Sequence, residues 1–296
     1  MHKVTANKIT SEFKSNRFTL VVFTSIVVLG FLSFLSFCFI DDKTIVWLYT
    51  HNDMSVFAGS RLIKVLGKVY TPLWLIFLWG YITKRPHLVL AGSLSLLLSL
   101  AVVGPCKIFA HRERPCKRLE HTQIVRDSDG NITALKDSLS GPAYGRFGMR
   151  NLFRSTRYQS FPSGDTVAMF APVVVAASFV SGFSSSVLFI LAGVVAFLRV
   201  AGLFHYPSDV LAAAAIGIFC GWLALRISRQ WISQNSFNIN EWWQKAVIIG
   251  IFLIPILSFF SDGIERFLVF LAGSAALAGC IYLTEKISML RRKNSV

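Results

Sequence analysis

The chain has 296 residues, of which 54% are hydrophobic and only 15% are charged. A soluble domain carries about 25% charged residues. This composition, with a mean hydropathy of +0.57, therefore excludes a soluble protein and predicts an integral membrane protein. The net charge of +15 would suggest a nucleic-acid partner in a soluble chain, but here it needs another explanation.

Charge-free apolar runs predict eight membrane-spanning helices. A spanning helix needs about 20 residues, so the long run 166–198 is expected to form two, broken at 181–186. The short run 69–83 is expected to begin earlier, near Leu62. The other runs are 18–40, 88–106, 210–225, 246–261 and 267–284.

The predicted fold class is an all-α, polytopic transmembrane bundle. The whole chain, 1–296, is expected to form a single integral membrane domain. Its core would be the six spans of 18–227, and segment 244–284 would add two C-terminal spans.

The distribution of lysine and arginine predicts the orientation in the membrane. With the N-terminus inside, 13 of these residues lie in cytoplasmic segments and six in the short outer segments. This excess follows the positive-inside rule for short loops. Both termini are therefore predicted to be cytoplasmic, and the protein is expected in a bacterial inner membrane. The remaining 11 lysines and arginines lie in segment 107–165.

Segment 107–165 is a long hydrophilic loop between the third and fourth predicted spans. Aromatic rings would lie at the membrane surface and arginines would bind phosphate, as in an interfacial cap over anionic headgroups. A mobile, solvated loop is the alternative, and the sequence leaves both open. The alternating residues are Tyr144, Arg146, Phe147, Arg150, Phe153, Arg154, Arg157 and Tyr158.

Three short motifs hold charged residues at the ends of the apolar runs. Counting the direction of each span places all three motifs at the outer face of the membrane. The motifs are Lys107-x6-Arg114-Pro115, Phe161-Pro162-Ser163-Gly164-Asp165, and Arg199-x5-His205-x3-Asp209.

The first two motifs supply cations and backbone amides. Lys107 and Arg114 are seven residues apart, or two helical turns, so a continuous helix ended by Pro115 would present both cations on one face. Ser163 is expected near the N-cap of the next helix. Gly164 would let the backbone amides of that helix approach phosphate oxygens.

The third motif supplies a further arginine and a histidine–aspartate pair. Arg199 can bind a phosphate through two parallel hydrogen bonds. Pro207 suits the first turn of a helix, on which Asp209 would accept the ring proton of His205. That bond would fix the tautomer and make the other ring nitrogen a better nucleophile. The motifs together predict a phosphate site.

These motifs resemble the signature of the type 2 phosphatidic acid phosphatase (PAP2) family, K-x6-R-P, P-S-G-H and S-R-x5-H-x3-D. The resemblance covers roughly residues 88–225. It implies that His205 attacks phosphorus to give a phosphohistidine, that Asp209 orients and charge-balances the ring, and that water hydrolyses the intermediate.

The resemblance also implies how the transition state is stabilised. Lys107, Arg114 and Arg199 would bind the equatorial oxygens, together with the backbone at Ser163 and Gly164. No metal or other cofactor is expected, because the lysine and arginines supply the positive charge.

Two positions depart from the family pattern: Asp165 replaces histidine, and Leu198 replaces serine. The family histidine protonates the leaving oxygen, whereas the nearby cations favour an ionised Asp165. Three interpretations remain open. Asp165 takes up a proton when substrate is bound, the leaving group needs little help, or His111 is the acid.

The sequence thus predicts a metal-independent lipid phosphatase with a periplasmic active site. Its partner would be a phosphorylated membrane lipid, with lipid A phosphate or undecaprenyl diphosphate ahead of phosphatidylglycerol phosphate. A lipid phosphotransferase and a non-catalytic lipid- or anion-binding membrane protein remain alternatives. A transporter is disfavoured because its charges should lie mid-span. Neither a nucleic acid nor an obligate protein partner is expected.

Overall fold

The computed structural model describes residues 16–50, 68, 70–83, 85–110, 112–120, 122–126, 128, 132–137, 159–180 and 182–234. Within these ranges the chain forms eight helices and two short strands. The helices are α1 (Asn16–Phe39), α2 (Asp41–Thr50), α3 (Tyr70–Thr83), α4 (Pro86–Ala110), α5 (Pro115–Glu120), α6 (Gly164–Ala177), α7 (Gly182–Ala201) and α8 (Pro207–Gln234). Strands β1 (Thr122–Arg126) and β2 (Ile132–Asp137) lie between α5 and α6.

Four of these helices, α1, α4, α7 and α8, are long and apolar enough to cross a membrane. The protein is therefore a membrane protein, as its composition predicts. Helices α3 and α6 have 14 residues each, fewer than the roughly 20 that a straight crossing needs. The expected start of the second span near Leu62 and the two spans of 244–284 lie outside the described residues.

Helix α8 is the centre of the bundle, and α1, α4 and α6 all pack against it. Its contact with α6 is very close at Gly217 and Gly221. A Cβ atom at Gly221 would lie 2.4 Å from the carbonyl oxygen of Ala171, and one at Gly217 would lie 2.7 Å from Cβ of Phe170. Small residues four apart let two membrane helices approach at the backbone. This approach fixes the start of α8 beside the start of α6.

The predicted all-α bundle is confirmed, with one small addition in the hydrophilic loop. Strands β1 and β2 form a two-stranded antiparallel sheet in which Thr122 pairs with Asp137, with an irregularity after Val125. No strand was expected there, because strands of five and six residues give too short a sequence pattern to recognise.

The first motif is not one continuous helix, so that prediction is wrong. Helix α4 ends at Ala110, and Pro115 begins the separate helix α5 rather than ending α4. Proline suits the first position of a helix because its missing N–H has no partner there in any case. The same reason explains why α8 begins at Pro207, as predicted.

We expect Gly221→Ala to destabilise the protein, because the new methyl group would overlap the Ala171 carbonyl and push α6 and α8 apart. Overpacking of this kind costs about 1–3 kcal/mol. Thermal unfolding in detergent would measure the loss. Gly193→Ala is the matched control, since a Cβ atom at Gly193 meets nothing within 4 Å. Equal melting temperatures for the two variants would contradict the predicted contact.

Candidate active site

The three motifs meet at one end of the bundle. The backbone N–H of Cys116, the residue directly after the first motif, donates to the carbonyl of Leu203 in the third motif at 3.0 Å. The N–H of Ser163 points to the carbonyl of Asp209 at 3.4 Å, which joins the second to the third. The convergence expected from counting span directions is therefore present in the structure.

A short segment, Gln159–Ser160, organises the contacts between the motifs. Its backbone runs antiparallel to the chain at Glu113, and the N–H of Ser160 donates to the carbonyl of Arg112 at 2.6 Å. The carbonyl oxygen of Gln159 receives long contacts from Lys107 Nζ at 3.5 Å and Arg114 Nε at 3.4 Å. Both cations of the first motif thus reach one place, although they do not share a helix.

His205 is held by a backbone carbonyl and not by the predicted carboxylate. Its side chain is buried, and Nδ1 lies 2.7 Å from the carbonyl oxygen of Ser160. Since a carbonyl only accepts, Nδ1 carries the proton and Nε2 keeps its lone pair. Asp209 Oδ2 is 3.9 Å from Nδ1, too far for a hydrogen bond. The predicted direct bond is therefore wrong, but the tautomer it was expected to enforce is the one the structure holds.

The surroundings of His205 keep the ring neutral. Burial, followed by the positive charges of Arg114, Lys107 and Arg199, holds the pKa of His205 well below the ordinary imidazole value of 6.5. The hydrogen bond to Ser160 acts in the opposite direction and is outweighed. A neutral imidazole with a lone pair on Nε2 is the form that can attack an electrophile.

Asp209 is fully buried, and its carboxylate is surrounded by donors from three parts of the chain. Oδ1 accepts from Arg112 Nη1 at 2.6 Å. Oδ2 accepts from the backbone N–H of Tyr206 at 2.8 Å and from the hydroxyl of Ser160. Ser160 therefore connects His205 to Asp209, because its hydroxyl donates to Asp209 while its carbonyl accepts from His205.

Arg112 is a residue of the site that the sequence analysis missed. Its guanidinium also binds Asp41 Oδ2 at 2.6 Å and Ser208 Oγ at 2.7 Å, and it lies 3.8 Å from the ring centroid of Tyr206. Burial alone would lower the pKa of Arg112, but Asp209 and Asp41 outweigh that effect and raise it. Arg112 occupies an unspecified position of the first motif, so the motif pattern gave no signal for it.

Asp41 brings the end of the first span into the same network. It is buried at the start of α2, where its carboxylate accepts from Ser36 Oγ at 2.8 Å and from the N–H of Ser208 at 3.0 Å. The hydroxyl of Ser208 also donates to it. An acidic residue directly after an apolar run was the only available signal, and such residues are common at the ends of spans.

Arg199 lies in the last turn of α7, inside the site. Its side chain is buried, its Nη2 binds Asp165 Oδ2, and its Nε has no hydrogen-bond partner among the described residues. The chain then turns sharply, with Leu203 in the left-handed region at φ 56°, and the N–H groups of Phe204 and His205 both return to the carbonyl of Arg199. This turn brings His205 back beside Arg199.

The second motif forms the start of α6, as predicted. Ser163 occupies the N-cap position with extended backbone, and its hydroxyl accepts from Thr166 Oγ1 at 2.9 Å and makes no capping bond. A Cβ atom at Gly164 would meet only Val103, at an ordinary 3.6 Å. His111 and the aromatic and basic loop residues 144–158 lie outside the described residues.

Residues 88–233 match the family model described as the PAP2 superfamily. This match confirms the resemblance that the motifs indicate. The crystal structure of Aquifex aeolicus LpxE is a similar solved structure, with 23% identity and a TM-score of 0.39, covering 58% of this chain and 85% of that one. No curated protein matches the sequence.

We expect Arg112→Ala to destabilise the protein most, because it leaves the buried carboxylates of Asp41 and Asp209 without their cation. Asp41→Asn should also destabilise it, because it removes one of the two carboxylates that bind Arg112. Breaking a buried ion pair costs about 3–5 kcal/mol, and thermal unfolding in detergent would measure it. The matched control is Asp42→Asn, which removes the adjacent carboxylate, 74% exposed and 2.9 Å from Arg118 Nη1. An exposed pair contributes about 0–1 kcal/mol. Equal effects of Asp41→Asn and Asp42→Asn would contradict the network.

We expect the imidazole of His205 to stay neutral as the pH falls through 6.5, because its pKa is lowered. The unfolded chain takes up that proton first, so this residue makes stability fall as the pH drops below 6.5. Nuclear magnetic resonance of ¹⁵N-histidine-labelled protein would follow the ring, with His205→Gln identifying its signal. Protonation at or above pH 6.5 would contradict the burial and charge effects.

Proposed function

Because residues 88–233 match the PAP2 superfamily, we propose that this membrane protein is a lipid phosphatase that works through a phosphohistidine on His205. The family match supports phosphatase activity on a membrane lipid. The chemistry at this site is inferred from the contacts of its residues.

The observation that carries the proposal is that His205 is neutral although several cations surround it. Its imidazole is buried, the Ser160 carbonyl fixes the proton on Nδ1, and the pKa of His205 is lowered. Lys107 and Arg114 converge on the adjacent Gln159 carbonyl. A neutral nucleophile and several cations in one buried place are what transfer of an anionic phosphoryl group requires.

In the first half of the proposed reaction, Nε2 of His205 attacks phosphorus and the bond to the leaving oxygen breaks. The ring becomes positively charged and keeps its Nδ1 proton on the Ser160 carbonyl. Asp209 stabilises this charge from 3.9 Å and holds Ser160 in place through the serine hydroxyl. In this arrangement Asp209 positions the nucleophile and balances its charge without bonding to it.

The phosphoryl oxygens would bind to the cations and to the start of α6. Arg199 offers Nε, which has no hydrogen-bond partner within the described ranges, in addition to Nη2, which binds Asp165. Lys107 and Arg114 supply two further positive charges. The backbone at Ser163 and Gly164 would add N–H donors at the N-terminus of α6, where anions bind favourably. These cations provide the electrostatic stabilisation of the transition state, so the proposed mechanism is independent of metal.

Asp165 is the candidate general acid of this step. It lies at the start of α6 with 31% of its side chain exposed, on the same guanidinium that would bind substrate. It would donate a proton to the leaving oxygen and then accept one from the water that hydrolyses the phosphohistidine. A positioned acid contributes about 10²–10⁴-fold to the rate.

We place the site on the periplasmic face of a bacterial inner membrane, with both termini in the cytoplasm. The orientation follows from the excess of basic residues in the inner segments. The proposed substrate is the phosphate monoester or diphosphate of a membrane lipid, with lipid A phosphate and undecaprenyl diphosphate ahead of phosphatidylglycerol phosphate. A diphosphate or an anomeric sugar phosphate would suit a weak acid, because its leaving group needs little protonation.

The test is phosphate release by purified protein in detergent with EDTA, using these three lipids and phosphatidic acid. We expect release from at least one lipid, and a loss of at least about 10⁴-fold in His205→Ala, because the nucleophile is gone. Protein denatured under alkaline conditions during turnover should carry a base-stable, acid-labile phosphate on His205. Leu203→Gly is a control next to the site, since glycine tolerates the left-handed backbone there.

Release that persists in His205→Ala would overturn the proposed nucleophile, and release abolished by EDTA would overturn metal independence. If phosphate is released only when a second lipid is phosphorylated, the protein is a phosphotransferase using the same residues. Lipid binding without release or transfer would indicate a binding protein.

A further inference from the structure

The carboxylate of Asp165 lies where the phosphoryl group of the substrate should bind. Its Oδ2 contacts Arg199 Nη2, and it is the outer member of the pair, 31% exposed against 7% for the arginine side chain. Carboxylate and phosphate oxygens bind a guanidinium in the same way. The protein thus places one of its own anions on a cation of the phosphate site.

This internal pair leaves Arg199 only partly used. Its Nε is buried and has no acceptor among the described residues, while Nη2 is occupied by Asp165. A phosphoryl group, with three oxygens, could bind both nitrogens at once. An incoming phosphoryl group would therefore compete with Asp165 for Nη2 and gain the contact at Nε that the carboxylate does not make.

The other charged groups around Asp165 determine what happens when it is displaced. Burial raises the pKa of Asp165 and is the largest effect on it. Four cations act in the opposite direction: Arg199 from α7, Arg114 from the link after α4, Lys107 from α4 and Lys68 from before α3. Asp209 from α8 acts on Lys107 and Arg114, and His205 lies within reach of the same cations. A bound dianion offsets these cations and leaves the effect of burial unopposed, so the pKa of Asp165 rises further and a proton on its carboxylate becomes favourable.

We propose that Asp165 is a built-in competitor for Arg199, and that an oxyanion displaces it with the uptake of one proton by its carboxyl group. This inference rests on the proposed function, because it takes the same residues as the phosphate site. It concerns the binding step and explains how an aspartate, flanked by cations, comes to hold a proton when substrate is present.

The proton then follows the phosphoryl group through the reaction. It passes from Asp165 to the leaving oxygen as the bond from His205 Nε2 to phosphorus forms and the bond to that oxygen breaks. The ionised Asp165 next takes a proton from the water that attacks phosphorus as the Nε2–phosphorus bond breaks. When phosphate leaves, Asp165 returns the proton to solvent and binds Arg199 again, so one proton is taken up and one released.

The test uses sulfate, an oxyanion whose charge stays constant between about pH 5.5 and 8, so any pH dependence belongs to the protein. Calorimetric titration of the full chain in detergent, in two buffers of different ionisation enthalpy, counts the protons taken up. We expect about one proton per sulfate, and affinity that rises by up to about tenfold for each unit of falling pH.

Asp165→Asn, nearly identical in shape, should bind sulfate more tightly than the unchanged protein at pH 8, with uptake close to zero. Asp165→Ser is a second variant in case the asparagine protein does not fold, as judged by circular dichroism. His205→Asn is the matched control for the other group that could take the proton, and it should keep the uptake.

Uptake that survives both Asp165 substitutions but disappears in His205→Asn would overturn the inference, because the proton would then belong to the histidine. Sulfate binding that is independent of pH and of Asp165 would also overturn it, while leaving the proposed phosphate site intact. No sulfate binding in any of the proteins would overturn the phosphate site and this inference together.

Discussion

The need to neutralise one buried carboxylate, that of Asp209, determines how the rest of the site is built. A charge removed from water is unstable unless donors replace the lost hydration. Asp209 obtains them from Arg112, the Ser160 hydroxyl and the backbone of Tyr206. These donors belong to chain segments 97, 49 and three residues away. The carboxylate can be buried only when all three segments are in place, so the site forms as a unit.

Ser160 carries this constraint to His205, the proposed nucleophile. Because its hydroxyl is fixed by Asp209, its carbonyl is held where it accepts the Nδ1 proton of His205. The histidine therefore has a defined tautomer without a direct bond to the aspartate. Asp209 and Ser160 thus have separate roles. Asp209 holds Ser160 in place, and the backbone carbonyl of Ser160 orients the imidazole of His205.

The arginines of the site divide into two groups by their partners. Arg112 is neutralised by Asp41 and Asp209 and is part of the supporting structure. Arg114 contacts the Gln159 carbonyl and Arg199 pairs with the partly exposed Asp165, and the positive charges of both act on His205. Both groups are needed in a membrane protein, since a cation held in an apolar bundle requires a partner, and a cation meant for substrate must have a labile one.

The sequence by itself determined the class of protein and the helical bundle, and it predicted the residues of the proposed phosphate site. Apolar length requires spanning helices, and span direction brings Lys107, Asp165 and Arg199 to one face. Only the tertiary structure decided which residues bind His205 and Asp209. Ser160 and Arg112 meet them across 45 and 97 residues of chain, and Asp41 supports Arg112 from 71 residues away; no local pattern encodes such a distance. The physical reason is that periodicity reports which face a residue occupies, whereas the partner of a buried charge depends on how separate helices pack.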